Sequence, residues 1–435
     1  MASVRVCLFV SAIVGSLWAD TVSLQDILDH ASHNAKTLLM KQIDAKIESK
    51  NVKSAESGYY PTLNFVYNGE YNQALDGSSL SNEYVGGMTI SSQTRYQSSM
   101  AFQLNYDLYH FGVTDKQVSI AASEEEIKRI EWCSEEKKLY GQILEQYANA
   151  RKAMIEKKYT IQMLEVRQKL YEMKERLYNA GQYSKVDLGD EAISIIGIER
   201  DIENAQMQYK ENLMRISQLS YMEIGQETQL LPIDTEKRDN SIKKYEDTAE
   251  GKVLYKRIAQ KRDEISMQTR EGLPSLALYS NYYYYGADPK KYDYTISHID
   301  KKSWNVGFTI RYNIFNGFKD ESKKERLTLE LQRLQQEFYD AKHSYEYETD
   351  SKTTRIDELD TLREKEQHLL EENYKKREML KRLRDEQKVD LLTQLNAEYE
   401  LLQRTLNIET RSIDAAYERA SLKISHRGME ECSQH

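Results

Sequence analysis

The 435-residue chain carries 61 Lys and Arg against 70 Asp and Glu, with 40% hydrophobic residues, 30% charged residues and only 4 Pro. A charge-rich, proline-poor composition favours long amphipathic helices over several compact cores. The acidic balance argues against a nucleic-acid binder, and no stretch beyond the N-terminal apolar run reaches the roughly 18 apolar residues of a membrane-spanning helix.

Met1–Ala19 reads as a removable secretory signal, with Arg5, an apolar run from Leu8 to Leu17, and Ala19 at the cut. An uncleaved anchor is the alternative, for which the run is short. Cleavage leaves 60 basic against 70 acidic residues, a net charge of −10. Cys133 and Cys432 remain. An oxidising compartment would allow them to pair, but nothing in the sequence brings them together, so two free thiols are expected.

A helix-like stretch ends at Tyr60-Pro61-Thr62-Leu63 and opens a run in which Leu63, Phe65, Tyr67, Gly69 and Tyr71 alternate with polar residues. Met100, Phe102, Leu104, Tyr106 and Leu108 form a second alternating series. After Leu273-Pro274-Ser275-Leu276 come Leu276, Leu278, Ser280, Tyr282 and Tyr284, then Trp304, Val306, Phe308, Ile310, Tyr312 and Ile314. Period two puts each apolar series on one side of a strand. Each run is about ten residues, the length a tilted strand needs to cross a bilayer. The polar segments Asn72–Ser98 and Gly286–Ser303, which contain Gly or Pro, read as exposed loops.

Asp115–Tyr178 contains no Pro and one Gly, and Asp320–Leu383 contains neither. Leu327, Leu331, Leu334, Phe338, Ala341 and Tyr345 keep heptad spacing, as do Ile195, Ile198, Ile202, Ala205 and Tyr209, and Leu392, Leu395, Tyr399, Leu402 and Leu406. That spacing marks helices packed at shallow angles. Turns are expected at Tyr178–Ser184, where Gly181 suits a left-handed helix end and Ser184 a cap, and at Leu383–Lys388, which has no Gly and must bend by other means.

The order repeats. Pro61 recurs as Pro274, Tyr106-Asp107-Leu108-Tyr109 as Tyr312-Asn313-Ile314-Phe315, and Lys185-Val186-Asp187-Leu188 as Lys388-Val389-Asp390-Leu391. The spacing between partners shrinks only slightly from the first pair to the last, as loop-length changes would produce. The chain is therefore read as two copies of one unit. The expected limits are a signal at 1–19, a first repeat at 20–225, a linker at 226–250, a second repeat at 251–424 and a tail at 425–435. Four strands cannot close a barrel alone, and open edges are not tolerated in lipid. Several chains must share one barrel if the strands enter a membrane. A soluble sandwich, an ordinary coiled-coil rod, and a periplasmic or surface chaperone or adhesin are the competing readings.

These residues resemble the TolC family of outer-membrane efflux channels, through Pro61 and Pro274, Tyr106-Asp107-Leu108-Tyr109-His110-Phe111-Gly112, Tyr312-Asn313-Ile314-Phe315-Asn316-Gly317, and the tip segments 177–192 and 383–398. The resemblance implies a mainly α fold with transmembrane β structure. Long helical hairpins would form a trimeric α-barrel, and four strands per chain would enter a shared twelve-stranded β-barrel. It implies a homotrimer serving as a passive outer-membrane exit duct for efflux or type I secretion, reaching into the periplasm. Its implied partners are a periplasmic adaptor, an inner-membrane pump of RND, ABC or MFS type, and outer-membrane lipid. Pro61 and Pro274 would mark the helix–strand junctions. The tips meeting the adaptor would be Gly181, Gln182, Tyr183, Arg384, Asp385 and Glu386. Asp390, with Asp187, would narrow the periplasmic aperture, where a threefold axis makes one Asp into three carboxylates; the alternative is that Asp390 caps a helix. Phe102, Leu104, Phe308 and Ile310 would face lipid. The sequence departs from the family at Asn34-Ala35, where Asn-Pro is usual, at Thr393, often an acid, and at the second tip, which lacks Gly.

No phosphate loop, HExxH, nucleophile elbow or CxxC is present. No cofactor, metal or enzymatic activity is expected. His30 and His33 share a helical spacing that would suit one metal, but a solvated helix face is the simpler reading.

Overall fold

The computed structural model describes residues 21–73, 83–85, 88–90, 96–234, 243–299 and 301–426. The signal at 1–19 and Cys432 lie outside them. In order, the elements are β1 (Thr21–Val22), α1 (Leu24–Asn34), α2 (Lys36–Glu56), β2 (Thr62–Tyr71), β3 (Glu83–Val85), β4 (Met88–Ile90), β5 (Tyr96–Tyr109), α3 (Val113–Asn179), α4 (Lys185–Ser220), β6 (Gln229–Leu230), α5 (Ala249–Glu271), β7 (Ser275–Asp288), α6 (Tyr292–Ser297), β8 (Lys301–Arg311), α7 (Lys319–Asp385) and α8 (Leu391–Ser425). The described residues form two compact units, one drawn from those within 40–132 and 245–343, the other from those within 21–39, 133–244 and 344–426.

The first of these holds a four-stranded antiparallel sheet in the order β2-β5-β7-β8. Pro61 directly precedes β2 and Pro274 directly precedes β7, because a proline ring biases the residue before it towards extended backbone and away from helix. The chain returns to helix through two consecutive left-handed residues in each copy. These are Phe111 (φ 48°) and Gly112 (φ 73°) before α3, and Gly317 (φ 70°) and Phe318 (φ 64°) before α7. Arg270 donates to the carbonyls of Phe111 and Gly112 at 3.2 and 3.3 Å. α5 is held beside α3 by Lys116 and Ser119, both bonded to Asp263. Arg257–Glu131 and Lys256–Glu126 pairs add to this contact. Gly251 is required where α5 begins, since a Cβ there would lie 2.1 Å from the Tyr245 carbonyl oxygen.

In the other unit, β1 and β6 form a short parallel pair. Tyr147 of α3, fully buried, donates to the carbonyls of Val22 (3.2 Å) and Leu231 (2.6 Å), and Arg151 donates to Leu230 (2.6 Å). These bonds satisfy backbone acceptors that a two-residue ladder leaves open. Burial raises the Tyr147 phenol well above its ordinary range. Val166 and Leu170 of α3 pack with Leu395 of α8, flanked by Leu391, Leu392, Tyr399 and Leu402. The heptad seam of the second copy therefore meets the first copy's long helix. His30 bonds the Ser220 carbonyl at 3.0 Å, tying α1 to the end of α4. Ala35, extended at φ −65° and ψ 118°, separates α1 from α2 without the usual Pro.

Several expectations are corrected. β3 and β4 pair inside 72–98, and β5 begins at Tyr96, so that segment is not all loop. β7 runs to Asp288, α6 occupies 292–297 and β8 starts at Lys301, which leaves little loop in 286–303. Cys133 is disulfide-bonded; export to an oxidising compartment stabilises that state over the free thiol.

The Lys-Val-Asp-Leu recurrence is out of structural register. The spacing between the starts of α3 and α7 equals that between their ends, and equals that between the starts of α4 and α8. At that common offset the counterpart of Asp390 is Ser184, and that of Asp187 is Thr393. Lys185–Leu188 lies inside α4, whereas Lys388–Asp390 lies in the second turn.

Candidate functional site

The sheet presents two chemically different faces. The registers place Phe65, Phe102, Tyr282 and Trp304 in one row across all four strands, and Leu63, Leu104, Ser280 and Val306 in the next. Tyr106, Leu278 and Phe308 follow, then Tyr109, Leu276 and Ile310. All four alternating series thus share one face. Its side chains are open to the surroundings: Phe308 and Trp304 are each 69% exposed, Ile310 65% and Phe102 44%, while Leu104 is half-buried. One member is displaced. A bulge between Asp107 and Tyr109 puts Tyr109, not Leu108, opposite Leu276, because one extra residue moves the next side chain across the sheet.

The opposite face is polar. Asn64, Gln103, Asn281 and Asn305 form a row of amides in register, and Asn281 donates to Asn305 at 3.0 Å. Beside it the Tyr279 ring lies over Gly307, where a Cβ would meet the phenol oxygen at 2.6 Å. β2 and β8 each keep one side without a strand partner among the described residues. An exposed apolar face with unpaired edges is a surface built to be covered.

The two hairpin turns are alike in detail. After α3, the Gln182 amide bonds the Leu177 carbonyl (2.8 Å) and the Gly181 amide that of Tyr178 (2.9 Å), with Gly181 at φ 74°. After α7, the Lys388 amide bonds Leu383 (2.8 Å) and the Gln387 amide bonds Arg384 (2.8 Å), with Gln387 at φ 57°. Both are Schellman turns. The Gly-less tip bends the same way as the first, with Gln387 accepting the left-handed strain. Gly181, Gln182 and Tyr183 lie in the first turn, Arg384 and Asp385 end α7, and Glu386 opens the second turn.

Capping is reciprocal between the copies. Ser184 caps α4, accepting from the Asp187 amide at 3.1 Å, and its hydroxyl donates to the Asp187 carboxylate at 2.6 Å. Asp390 caps α8, accepting from the Thr393 amide at 2.9 Å. Bonds from the Thr393 side chain and amide hold the Asp390 carboxyl below the ordinary carboxylate range. Asp187 and Asp390 are both exposed, so each turn offers solvent one carboxylate.

A buried charge cluster near the tips was not anticipated. Glu191 of α4, 7% exposed, accepts from Arg167 (3.2 and 3.3 Å) and Lys174 (2.7 Å) of α3. The Arg167 guanidinium also lies 4.0 Å from the ring centroid of Tyr399 on α8. The cluster joins both hairpins. A signal was available, since Glu191 stands one heptad before Ile198 on the apolar seam, where a lone acid needs a partner.

Residues 27–220 match the family model for outer membrane efflux proteins. No curated protein matches the chain by sequence. Solved structures match nearly its whole length. The Vibrio cholerae outer membrane protein VceC is similar with a TM-score of 0.76 and 14% identity, over 92% of this chain and 94% of that one. The Campylobacter jejuni CmeC outer membrane channel gives 0.77 and 14%, over 93% and 84%. The open Neisseria gonorrhoeae MtrE outer membrane channel gives 0.71 and 17%, over 93% and 89%. The fold is that of an outer-membrane channel subunit. Residues 27–220 carry the outer membrane efflux protein domain, and the chain shares the fold of these channels. The efflux-protein domain and the shared fold support an exit duct for efflux in the outer membrane. A soluble chaperone or adhesin is not favoured.

Proposed function

We propose that three copies of this chain enclose one passive duct, each giving β2, β5, β7 and β8 to a common barrel of twelve strands. The observation that carries this reading is the sheet itself, with an exposed apolar face, a polar reverse and two open edges. Joining β8 of one copy to β2 of the next would pair those edges, turn Phe102, Leu104, Phe308 and Ile310 to lipid, and turn the amide row to water. The duct has no energy source of its own. A periplasmic adaptor would grip the turns at Gly181–Tyr183 and Arg384–Glu386, and an inner-membrane pump would drive the cargo. Threefold symmetry would gather Asp390 and Asp187 into carboxylate rings at the periplasmic mouth, favouring cations over anions.

The test is single-channel recording in planar bilayers. Asp390→Asn should keep the helix cap and reduce cation preference. Unchanged ion selectivity would leave Asp390 as a cap alone. Absence of any channel from purified oligomer would refute the duct.

A further inference from the structure

A cavity of about 730 Å³ lies between α3 and α4, lined on one side by Arg151, Met154, Ile155, Lys157 and Lys158 and on the other by Gln206, Tyr209 and Lys210, with residues 226–229 along its rim. We propose that it is a binding site for a small polyanion, a molecule carrying two or more phosphate or carboxylate groups.

Charge is the first argument. Four cations line the cavity against one acid, Glu227, in a chain whose overall balance is acidic. Other half-buried lysines of this unit are paired, Lys152 with Asp414 and Lys174 with Glu191. Lys157, Lys158 and Lys210 have no ion-pair partner among the described residues, although Lys157 and Lys210 are half-buried. Like charges gathered in partly desolvated space raise the free energy of the empty site, and a bound anion relieves that repulsion.

The second argument is the built wall. Arg151 is fixed by its bond to the Leu230 carbonyl at 2.6 Å, and its Nε, shielded from solvent, has no acceptor among the described residues. Tyr209 is fixed by a hydrogen bond to the Thr228 carbonyl. Arg151 and Tyr209 are therefore held in place before any ligand arrives, which lowers the ordering cost of binding. Met154 and Ile155 supply apolar surface, and Gln206, Gln226 and Gln229 supply amide donors. A volume of about 730 Å³ suits a small organic molecule rather than a single ion.

Isothermal titration of the purified oligomer in detergent tests the site, with inorganic pyrophosphate and citrate as probes. Both should bind saturably, compete with one another and weaken with added salt. Lys157→Gln, Lys158→Gln and Lys210→Gln should each weaken binding about tenfold, as expected for loss of one charge-assisted contact. Glu227→Gln should strengthen it, which separates a charge effect from damage to the fold. Absence of saturable binding, or equal affinity in the triple Lys→Gln variant, would overturn the proposal. Amine acetylation supplies the remaining arm. The three lysines should react in the oligomer and be protected by pyrophosphate. Protection in the oligomer without any probe would instead assign the cavity to acidic groups of a second copy.

Discussion

Removing the Glu191 carboxylate should destabilise the hairpin pair more than any exposed charge change on the same helix. Glu191 accepts three hydrogen bonds from two cations whose side chains are only 21% and 18% exposed. Glu191→Ala would leave Arg167 and Lys174 facing each other with their counter-charge gone. Breaking a buried ion pair costs about 3–5 kcal/mol. Arg167 keeps its contact with the Tyr399 ring, and both cations retain some access to water. The low end, about 3 kcal/mol, is therefore expected, roughly a hundredfold in the unfolding equilibrium. Glu191→Gln, which keeps the shape and one acceptor, should cost less, about 1.5–2 kcal/mol. Guanidinium unfolding of the detergent-solubilised protein, followed by far-ultraviolet circular dichroism, measures both. Glu203→Ala, on an exposed position of α4, is the control and should change stability by less than about 0.5 kcal/mol. A Glu191→Ala midpoint equal to that of Glu203→Ala would refute the reasoning.

The two Schellman turns make opposite predictions. Gly181→Ala should destabilise by about 1 kcal/mol, whereas Gln387→Gly should stabilise by up to about 1 kcal/mol by relieving left-handed strain; equal signs in denaturant unfolding would contradict the turn assignment. Asp390→Ala should cost about 1 kcal/mol at neutral pH through the lost cap. Because the folded protein holds the Asp390 carboxyl below its unfolded value of 3.8, that difference should be complete above pH 3.8 and shrink as pH falls through the lower folded value; a pH-independent gap would rule out a carboxylate cap. Reduction of the Cys133 disulfide should lower stability by about 2–4 kcal/mol, and Cys133→Ser should match reduced wild type. A reductant-insensitive unfolding midpoint would count against the bond. Phe308→Arg should prevent accumulation in the outer membrane, at about 2–4 kcal/mol near mid-bilayer; normal insertion would reverse the assignment of the sheet's faces.

Much of this fold was legible in the sequence because its signals are periodic. Alternation in four segments placed the strands, and the registers brought all four apolar series to one face. Helix lengths could be read from the scarcity of Pro and Gly. Local chemistry misled where one residue type has several uses. Asp187 and Asp390 share a four-residue word, yet one lies inside a helix and the other caps one. Gly181 advertises its turn, while Gln387 adopts the same backbone without advertising it. The left-handed pair before each long helix carries its glycine second at Phe111-Gly112 and first at Gly317-Phe318. Leu108 lost its place to a bulge that no alternation count can detect. Glu191 was hidden because a seam acid is recognisable only once Arg167 and Lys174 are known to face it.

The constant offset between the helices of the two copies restricts how such a chain can change. Adding one residue to either 67-residue helix would turn every later side chain by about 100° about the helix axis. Seam leucines would swing outward, and the hairpin turn beyond would point elsewhere. Length variation must therefore gather ahead of the helices. Pro61 and Pro274 do stand farther apart than the starts of α3 and α7, so the strand connections absorb the indels and the struts stay commensurate.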